Sequence, residues 1–326
     1  MPEQTSRTAP AFSYNAHYEL LVTGYCHAAL SIPALGLDSP LQTKDLLATG
    51  PVSADGKATE QEHLQHLQAI GALDVSKPLM VLGARNNLVN LRCPVILNGQ
   101  VHAVSGEEPS QSRRPYYGLG FKHQRFICDS INPPSFDAYA PDDFFCAGIP
   151  VLWDDITGER LLDLMLCEAA DHSHVFNLPR GNHPNATDVT RHAWASLHEA
   201  FTEHLYAELP IAVAAIHGVL NELPPLRRCD DYFHAIYGVR DDGALVCLFA
   251  QGRLEALGNI MKQRGCRRAV CLENSGSIMP SFLPKGLAGD SIPLVRAPNF
   301  RARGRGLIAI ELINSAFSSI PFIGVN

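Results

Sequence analysis

A segment rich in serine and glycine contains the residues of this chain that are best suited to chemistry. It reads Glu273-Asn274-Ser275-Gly276-Ser277 and follows a short apolar run. A turn of this composition can direct several backbone N–H groups at one point, which favours anions such as phosphate. Ser275 and Ser277 add hydroxyl donors. Glu273 supplies a carboxylate for general acid–base catalysis, nucleophilic attack or hydrogen bonding to a sugar hydroxyl.

Cysteine and histidine offer a second kind of chemistry. Cys26 and His27 are adjacent at the end of a predicted strand, and Cys271 precedes the Ser/Gly segment. A thiol near a histidine permits nucleophilic attack, and histidine exchanges protons near neutral pH. Neighbours in sequence need not have neighbouring side chains, so a nucleophilic Cys26 is an alternative and not the leading interpretation.

No standard cofactor or metal motif is present. The stretch 171–174, Asp-His-Ser-His, has side chains that bind metals, but its spacing fits no zinc motif. The chain has neither a phosphate-binding Walker loop nor a G-x-G-x-x-G turn after a strand. We therefore predict no metal and no cofactor.

Composition indicates a globular protein. The chain has 326 residues, 46% hydrophobic and 18% charged, with a net charge of −7. This charge argues against a nucleic-acid partner. No apolar stretch reaches the length of roughly 18 residues that spans a bilayer. An odd number of cysteines, nine, and an N-terminus unlike a secretory signal predict a soluble, cytoplasmic protein with reduced thiols and no membrane partner.

Hairpin and strand signals dominate the elements that must position these residues. The Asn98-Gly99 pair and the Asp242-Gly243 pair each separate two apolar runs, which predicts two tight hairpins. A buried strand is predicted over 79–82, a strand followed by a turn within 17–30, another strand over 118–131, and a final strand over 307–313.

Three helices are predicted from apolar residues at spacings of three and four. The first buries Leu64, Leu67 and Ile70 and ends near Gly71. The second runs from about 188 to 209. The third turns Leu254, Leu257, Ile260 and Met261 inward and ends at Gly265.

These elements predict an α/β fold of the mixed α+β kind, with mixed β-sheets and helices packed on them. We expect residues 1–16 to form an N-terminal tail and 17–326 a single domain. An irregular insertion is expected at about 105–205.

The block 232–282 resembles the core of the phosphodiester glycosidase family. The family has a strand hairpin, a helix of the type LxxLAxLMKxLGC, and a strand that ends in the loop DGGGSSTM. The corresponding sequences here are HAIYGVRDDGALVCLFA, RLEALGNIMKQRGC and RRAVCLENSGSIM. The acidic residue of the loop is therefore glutamate in this chain, and two of the loop's glycines have side chains.

Weaker matches lie upstream and add residues to the expected site. Asn86 and Asn87 stand where the family has Asn-Gly-Gly-Phe-Phe, and His217 lies in a second short match. His234 falls where the family has Arg-Thr. The resemblance and the residue chemistry together predict catalytic residues Glu273, His234, Cys26 and His27, and substrate-binding residues Asn86, Asn87, His217, Asn274, Ser275, Gly276 and Ser277.

The leading hypothesis is a hydrolase-like enzyme that acts on a glycosyl phosphodiester or a related phosphorylated small molecule. One alternative keeps the fold but makes it a biosynthetic cyclase or transferase. Another is a non-catalytic protein that binds a phosphorylated ligand. In each case the expected partner is a small molecule that is phosphorylated or glycosylated, and the oligomeric state is left open.

Overall fold

A computed structural model of the chain provides the architecture. It describes residues 17–33, 57–84, 95–97, 99–102, 116–131, 139–140, 143–154, 156–157, 196, 199, 211, 214–215, 218, 233–252, 254–274, 280–297, 303–304, 306–313 and 318–319.

Strands dominate the described residues. In chain order they are β1 (His17–Val22), β2 (Tyr25–Ser31), β3 (Ala58–Thr59), β4 (Leu79–Ala84), β5 (Val95–Leu97), β6 (Gln100–His102), β7 (Tyr116–Lys122), β8 (Arg125–Ile131), β9 (Phe144–Ala147), β10 (Ile149–Trp153), β11 (Ile156–Thr157), β12 (Phe233–Arg240), β13 (Leu245–Gln251), β14 (Cys266–Asn274), β15 (Ser281–Leu283), β16 (Ile292–Pro293), β17 (Arg303–Gly304), β18 (Gly306–Leu312) and β19 (Ser318–Ser319). Two α-helices are fully described, α1 (Glu60–Ala69) and α2 (Leu254–Gln263), and a 3-10 turn spans Gly286–Ala288.

The strands form four sheets. Sheet A has the order β11-β10-β14-β12-β13-β1-β19, and sheet B has the order β16-β15-β4-β18-β2. Sheet C contains β17 and β3, and sheet D has the order β6-β5-β9-β7-β8. Every pairing between described strands is antiparallel. The broad α+β prediction is confirmed, although strands outweigh helices and the described sheets are not mixed.

Both predicted Gly-containing hairpins are confirmed. Gly99 and Gly243 have φ angles of +69° and +83°, in the left-handed region that glycine tolerates. A third hairpin joins β7 to β8, where a single strand was predicted. Its turn residues His123 and Gln124 have φ angles of 50° and 61°. Neither residue type marks such a turn in sequence, so the break in the strand was missed.

Helix α1 begins with a capping box. The backbone N–H of Glu62 donates to Thr59 Oγ1, and the backbone N–H of Thr59 donates to the Glu62 carboxylate. Leu64 and Leu67 are buried as predicted. The prediction that Ile70 is buried is wrong: it is 47% exposed, because it is the C-cap residue and the chain turns away there.

Helix α2 covers one face of sheet A. Leu257 and Met261 are buried as predicted, and Ile260 is half-buried. Gly265, with a φ angle of +84°, follows the helix end as expected. The side chain of Leu254 lies outside the described residues.

One large core joins sheets A, B and D. It contains Leu20 and Tyr237 from sheet A, Met80 and Ile310 from sheet B, and Phe145 from sheet D. The opposite face of sheet B packs against α1 through a second apolar cluster. The order of layers is therefore α1, sheet B, core and sheet A, with α2 outermost, and sheet D completes the core.

Two predicted regions fall partly outside the described residues. Only positions 196 and 199 of the expected helix 188–209 are described, and both are helical. Within the expected insertion 105–205, strands β7, β8 and β9 belong to sheet D, and strands β10 and β11 belong to sheet A. Residues 1–16 are not among the described ones. No helix in the described part is long and apolar enough to cross a membrane.

A buried histidine attaches α1 to its neighbours. His63 Nε2–H donates to the carbonyl oxygen of Gly304 at 3.0 Å, and the Ser31 hydroxyl donates to His63 Nδ1 at 3.0 Å. Burial, the largest cause, lowers the pKa of His63 to about 4. The ring is therefore neutral in the folded protein at neutral pH.

Acidification should destabilise the fold through His63. The folded pKa lies below the unfolded value of 6.5, so the unfolded chain binds the proton first and stability falls as pH drops between these values. We expect wild type to lose about 3 kcal/mol more than His63→Gln between about pH 7 and pH 4. Urea denaturation of both proteins at several pH values measures this difference. Equal losses of unfolding free energy in the two proteins would contradict the assignment of this pH dependence to His63.

Candidate active site

The candidate site begins where β12 and β14 meet at one end of sheet A. His234 pairs with Asn274, and Ala235 pairs with Glu273. The next pair is Ile236 with Cys271, so Leu272 is an extra residue on β14. Such a β-bulge changes which face the following side chain joins.

The bulge sorts the candidate residues between the two faces of sheet A. Glu273 lies opposite Ala235 and so shares the face of Ala235 and Tyr237, which is the core face. Cys271 lies opposite Ile236 and shares the face of His234, toward α2. The structure therefore places His234 and Glu273 at adjacent strand positions, but on opposite faces.

Glu273 is a buried carboxylate at the end of a strand. Its residue is only 6% exposed. Moving a carboxylate out of water is costly, so buried acids are hydrogen-bonded or paired and are frequent at functional sites. Asn274 ends β14 directly after it, and the Ser/Gly segment follows.

Tyr237 ties the face that carries Glu273 to sheet B. Its hydroxyl donates to the carbonyl oxygen of Gly83 on β4 at 2.8 Å. Burial, followed by the nearby Cys247 and Glu273, raises the pKa of Tyr237 well above its usual value. The hydroxyl therefore remains protonated and can donate its hydrogen bond to Gly83. Sequence reasoning did not single out Tyr237, although its alternation with Ala235 and Phe233 was a usable signal.

His234 contacts a thiol. Its Nδ1 lies 3.7 Å from Cys271 Sγ, and Cys271 Sγ is also 3.3 Å from the carbonyl oxygen of Glu273. Burial, and then the Glu273 carboxylate, raises the pKa of Cys271 to about 12. Because the thiolate is the reactive form, Cys271 is a protonated thiol at neutral pH and is poorly suited to nucleophilic attack.

Three further acids are buried in the described part of the chain, and each stabilises the fold. Glu19 accepts two hydrogen bonds from Arg264, at 2.5 and 2.9 Å. Glu311 forms an ion pair with Lys77. The Asp143 carboxylate accepts the backbone N–H groups of residues 123 and 140 at 3.1 and 3.2 Å. Of the buried acids in the described part of the chain, Glu273 is the one at the entrance to the Ser/Gly segment.

His27 lies away from this site. On β2 it pairs with Glu311, which in turn pairs with Leu79 at the start of β4. Gly83, the partner of Tyr237, is four residues further along β4, about 13 Å away. His27 Nε2–H donates to the carbonyl oxygen of Ala72 at 3.1 Å. The described structure therefore does not bring His27 to Glu273.

Several predicted site residues cannot be placed. Cys26 belongs to β2, but its side chain is outside the described residues. The other predicted residues outside the described set are Asn86, Asn87, His217, Ser275, Gly276 and Ser277. Asn86 and Asn87 follow the end of β4, the strand whose Gly83 accepts the Tyr237 hydrogen bond. Among described residues no cluster of three metal-binding side chains occurs, and the 171–174 stretch is not described.

The protonated state of Cys271 can be tested by labelling. We expect native protein treated briefly with iodoacetamide at about pH 8 to leave Cys271 unmodified, because the thiol is buried and its pKa is about 12. Peptide mapping by mass spectrometry measures the modification at each cysteine. Urea-unfolded protein is the positive control and should be labelled at Cys271. Rapid native labelling of Cys271 would restore the thiol-nucleophile hypothesis.

The bond between the sheets can be tested by Tyr237→Phe. We expect a loss of about 1 kcal/mol in the free energy of unfolding, since the part-buried carbonyl oxygen of Gly83 loses its donor. Tyr139→Phe is the matched control, because its hydroxyl reaches Asp129 only at 3.4 Å and should contribute less. Urea denaturation measures both. An equal or smaller loss in Tyr237→Phe would show that the bond to Gly83 matters little.

Comparisons with known proteins give only remote similarity. No protein-family model and no curated protein matches the chain. One solved structure with weak similarity is the zebrafish N-acetylglucosamine-1-phosphodiester alpha-N-acetylglucosaminidase catalytic domain, auto-inhibited by its pro-peptide. The TM-score is 0.43 at 9% identity over 88% of this chain and 73% of that one. A hypothetical protein from Synechocystis has a TM-score of 0.27 at 11% identity, over 73% of this chain and 35% of that one.

Proposed function

We propose that this protein is a hydrolase of small phosphodiesters in which a sugar is linked through its anomeric oxygen to phosphate. The observation that carries the proposal is the buried Glu273 carboxylate, which the Leu272 bulge directs to the core face of sheet A. It stands directly before the Asn274–Ser277 segment, whose composition suits a phosphate. A proton-transfer group and an anion-binding segment are therefore adjacent in the chain.

The chemistry of the leaving group explains how one carboxylate can suffice. Glycoside hydrolysis normally uses two carboxyl groups, one of which protonates the leaving oxygen. The β12 residues next to Glu273, which are His234 and Ala235, add no second acid. A phosphate monoester has a second pKa near 6, so it departs as an anion at neutral pH without being protonated first.

In this mechanism Glu273 is the general base. A water molecule attacks the anomeric carbon while its proton passes to Glu273, and the carbon–oxygen bond to phosphate breaks. The electron pair of that bond leaves with the phosphate, so the products are the free sugar and a phosphomonoester. Residues 274–277 bind the phosphoryl oxygens, and Asn86, Asn87 and His217 contact the sugar.

Tyr237 is assigned a positioning role. Its bond to Gly83 fixes β4 against the core face of sheet A near Glu273. A carboxylate that must meet one water molecule at hydrogen-bond distance needs a rigid surrounding. His234 and Cys271, on the opposite face, are assigned to packing beneath Glu273 and not to the reaction.

The decisive experiment compares wild type with Glu273→Gln. Both proteins are incubated with a panel of sugar-1-phosphodiesters and nucleotide sugars, and products are identified by mass spectrometry. We expect wild type to release free sugar and a phosphomonoester, and Glu273→Gln to be slower by about 100-fold or more, because amide nitrogen and oxygen cannot accept the proton.

Glu311→Gln is the matched control. Glu311 is a buried glutamate, 5% exposed, in sheet B, and it is paired with Lys77. This variant should lose stability but keep the wild-type rate when folded. Equal rates in wild type and Glu273→Gln would overturn the proposed role. Tight binding with recovery of intact probe would indicate a binding protein, and a product lacking the added water would indicate a cyclase or transferase.

A further inference from the structure

A cavity of about 270 Å³ lies between the C-terminal end of α1, the edge strand β2 and strand β9. Its lining includes His27, Ile70, Leu97, Asp143 and Phe144. It is at the lower end of the sizes typical of small-molecule sites. None of the described residues assigned to hydrolysis, Glu273, Asn274 and Tyr237, is in its described lining.

His27 presents a hydrogen-bond acceptor here. Its Nε2 bonds to the carbonyl oxygen of Ala72, and a carbonyl only accepts, so Nε2 carries the hydrogen. In the neutral ring Nδ1 is then the acceptor. No described residue donates to Nδ1. A ligand that donates a hydrogen bond therefore has a partner on the wall formed by β2.

Two further features make the cavity electronegative. The first is the end of α1, which closes in a Schellman motif: Ala72 N–H donates to Leu67 O at 3.0 Å, and Gly71 N–H donates to Gln68 O at 3.1 Å. This end carries the negative pole of the helix dipole. The second is Asp143, only 6% exposed, whose carboxylate uses two of roughly four acceptor positions on backbone N–H groups.

The rest of the lining is apolar. Leu30, Leu97 and Phe144 are buried, whereas Ile70 is 47% exposed. Ile70 is the helix residue that the amphipathic pattern assigned to the interior. Its exposure at the cavity gives a ligand an apolar surface to cover, and covering it would be favourable. His27 is the only basic side chain in the described lining.

We propose that this cavity is a second binding site, specific for a small organic cation with a primary ammonium group and a short apolar chain. The ammonium group donates to Asp143 and to His27 Nδ1 beside the end of α1, and the chain packs on Ile70, Leu97 and Phe144. An ammonium group has three donors and no acceptor, which matches a wall of acceptors. A carboxylate of the same size is repelled by Asp143 and the helix pole.

The test uses three probes of matched size: n-butylammonium, n-butanoate and 1-butanol. Each is titrated into the ¹⁵N-labelled full chain at about 0.15 M salt, where long-range attraction to the net negative charge is screened. We expect saturable shifts at the amides of residues 27, 70 and 143 with n-butylammonium. Its Kd should be at least about tenfold lower than that of n-butanoate or 1-butanol, as a charge-assisted hydrogen bond implies.

Two variants and a matched control separate the site from surface effects. Asp143→Asn should weaken n-butylammonium binding about tenfold. Ile70→Ser changes an exposed residue, so it folds, and should weaken binding about threefold. Ile292→Ser is the control, since Ile292 is 49% exposed but lies on β16, outside the lining, and binding should be unchanged.

Three results would overturn the proposal: no saturable shifts with n-butylammonium, equal affinity for n-butanoate, or equal weakening by Ile70→Ser and Ile292→Ser. The Asp143 carboxylate also accepts two backbone N–H groups, so Asp143→Asn could lose its fold. Its binding is therefore interpreted only if its spectrum is that of a folded protein. If it is not, the comparison of Ile70→Ser with Ile292→Ser tests the proposal. The outcome is independent of the hydrolase proposal, which rests on Glu273 near the end of β14.

Discussion

The hydrogen bond from Tyr237 to the carbonyl oxygen of Gly83 is the contact on which the candidate active site depends. It joins sheet A to sheet B across the shared core. Tyr237 is fully buried, and a buried hydroxyl without a partner would cost more than the net gain of an ordinary hydrogen bond. The bond therefore fixes where β4 ends relative to β14. Asn86 and Asn87 follow the end of β4 in the sequence. Glu273 lies on the core face of sheet A, which is the face that Tyr237 joins to β4.

The bulge at Leu272 determines which face of sheet A each candidate residue joins. In an uninterrupted strand Cys271 and Glu273 would share a face, because side chains alternate with a period of two. The extra residue moves Glu273 to the core face and leaves Cys271 with His234. The thiol is buried beside a carboxylate and remains protonated. The proposed acid–base role is therefore assigned to Glu273 and not to Cys271.

The two proposed sites involve different strands of sheet B. The far end of β4 adjoins Tyr237, whereas its near end is linked through Glu311 to His27 on the edge strand. Residues of the edge strand β2, the end of α1 and sheet D line the cavity. His27, which the sequence placed among the catalytic candidates with Glu273, thus lies in a different part of the fold.

Local chemistry in the sequence determined the hairpins at Gly99 and Gly243, the two described helices and the α+β class, since each depends on residues a few positions apart. The sequence also identified Glu273 at the end of a strand. Only the tertiary structure decided that Ile70 is exposed, that His234 and Glu273 lie on opposite faces, and that Tyr237 reaches across the core. These depend on strand register and on contacts between distant segments, and the order of residues along one strand does not encode either.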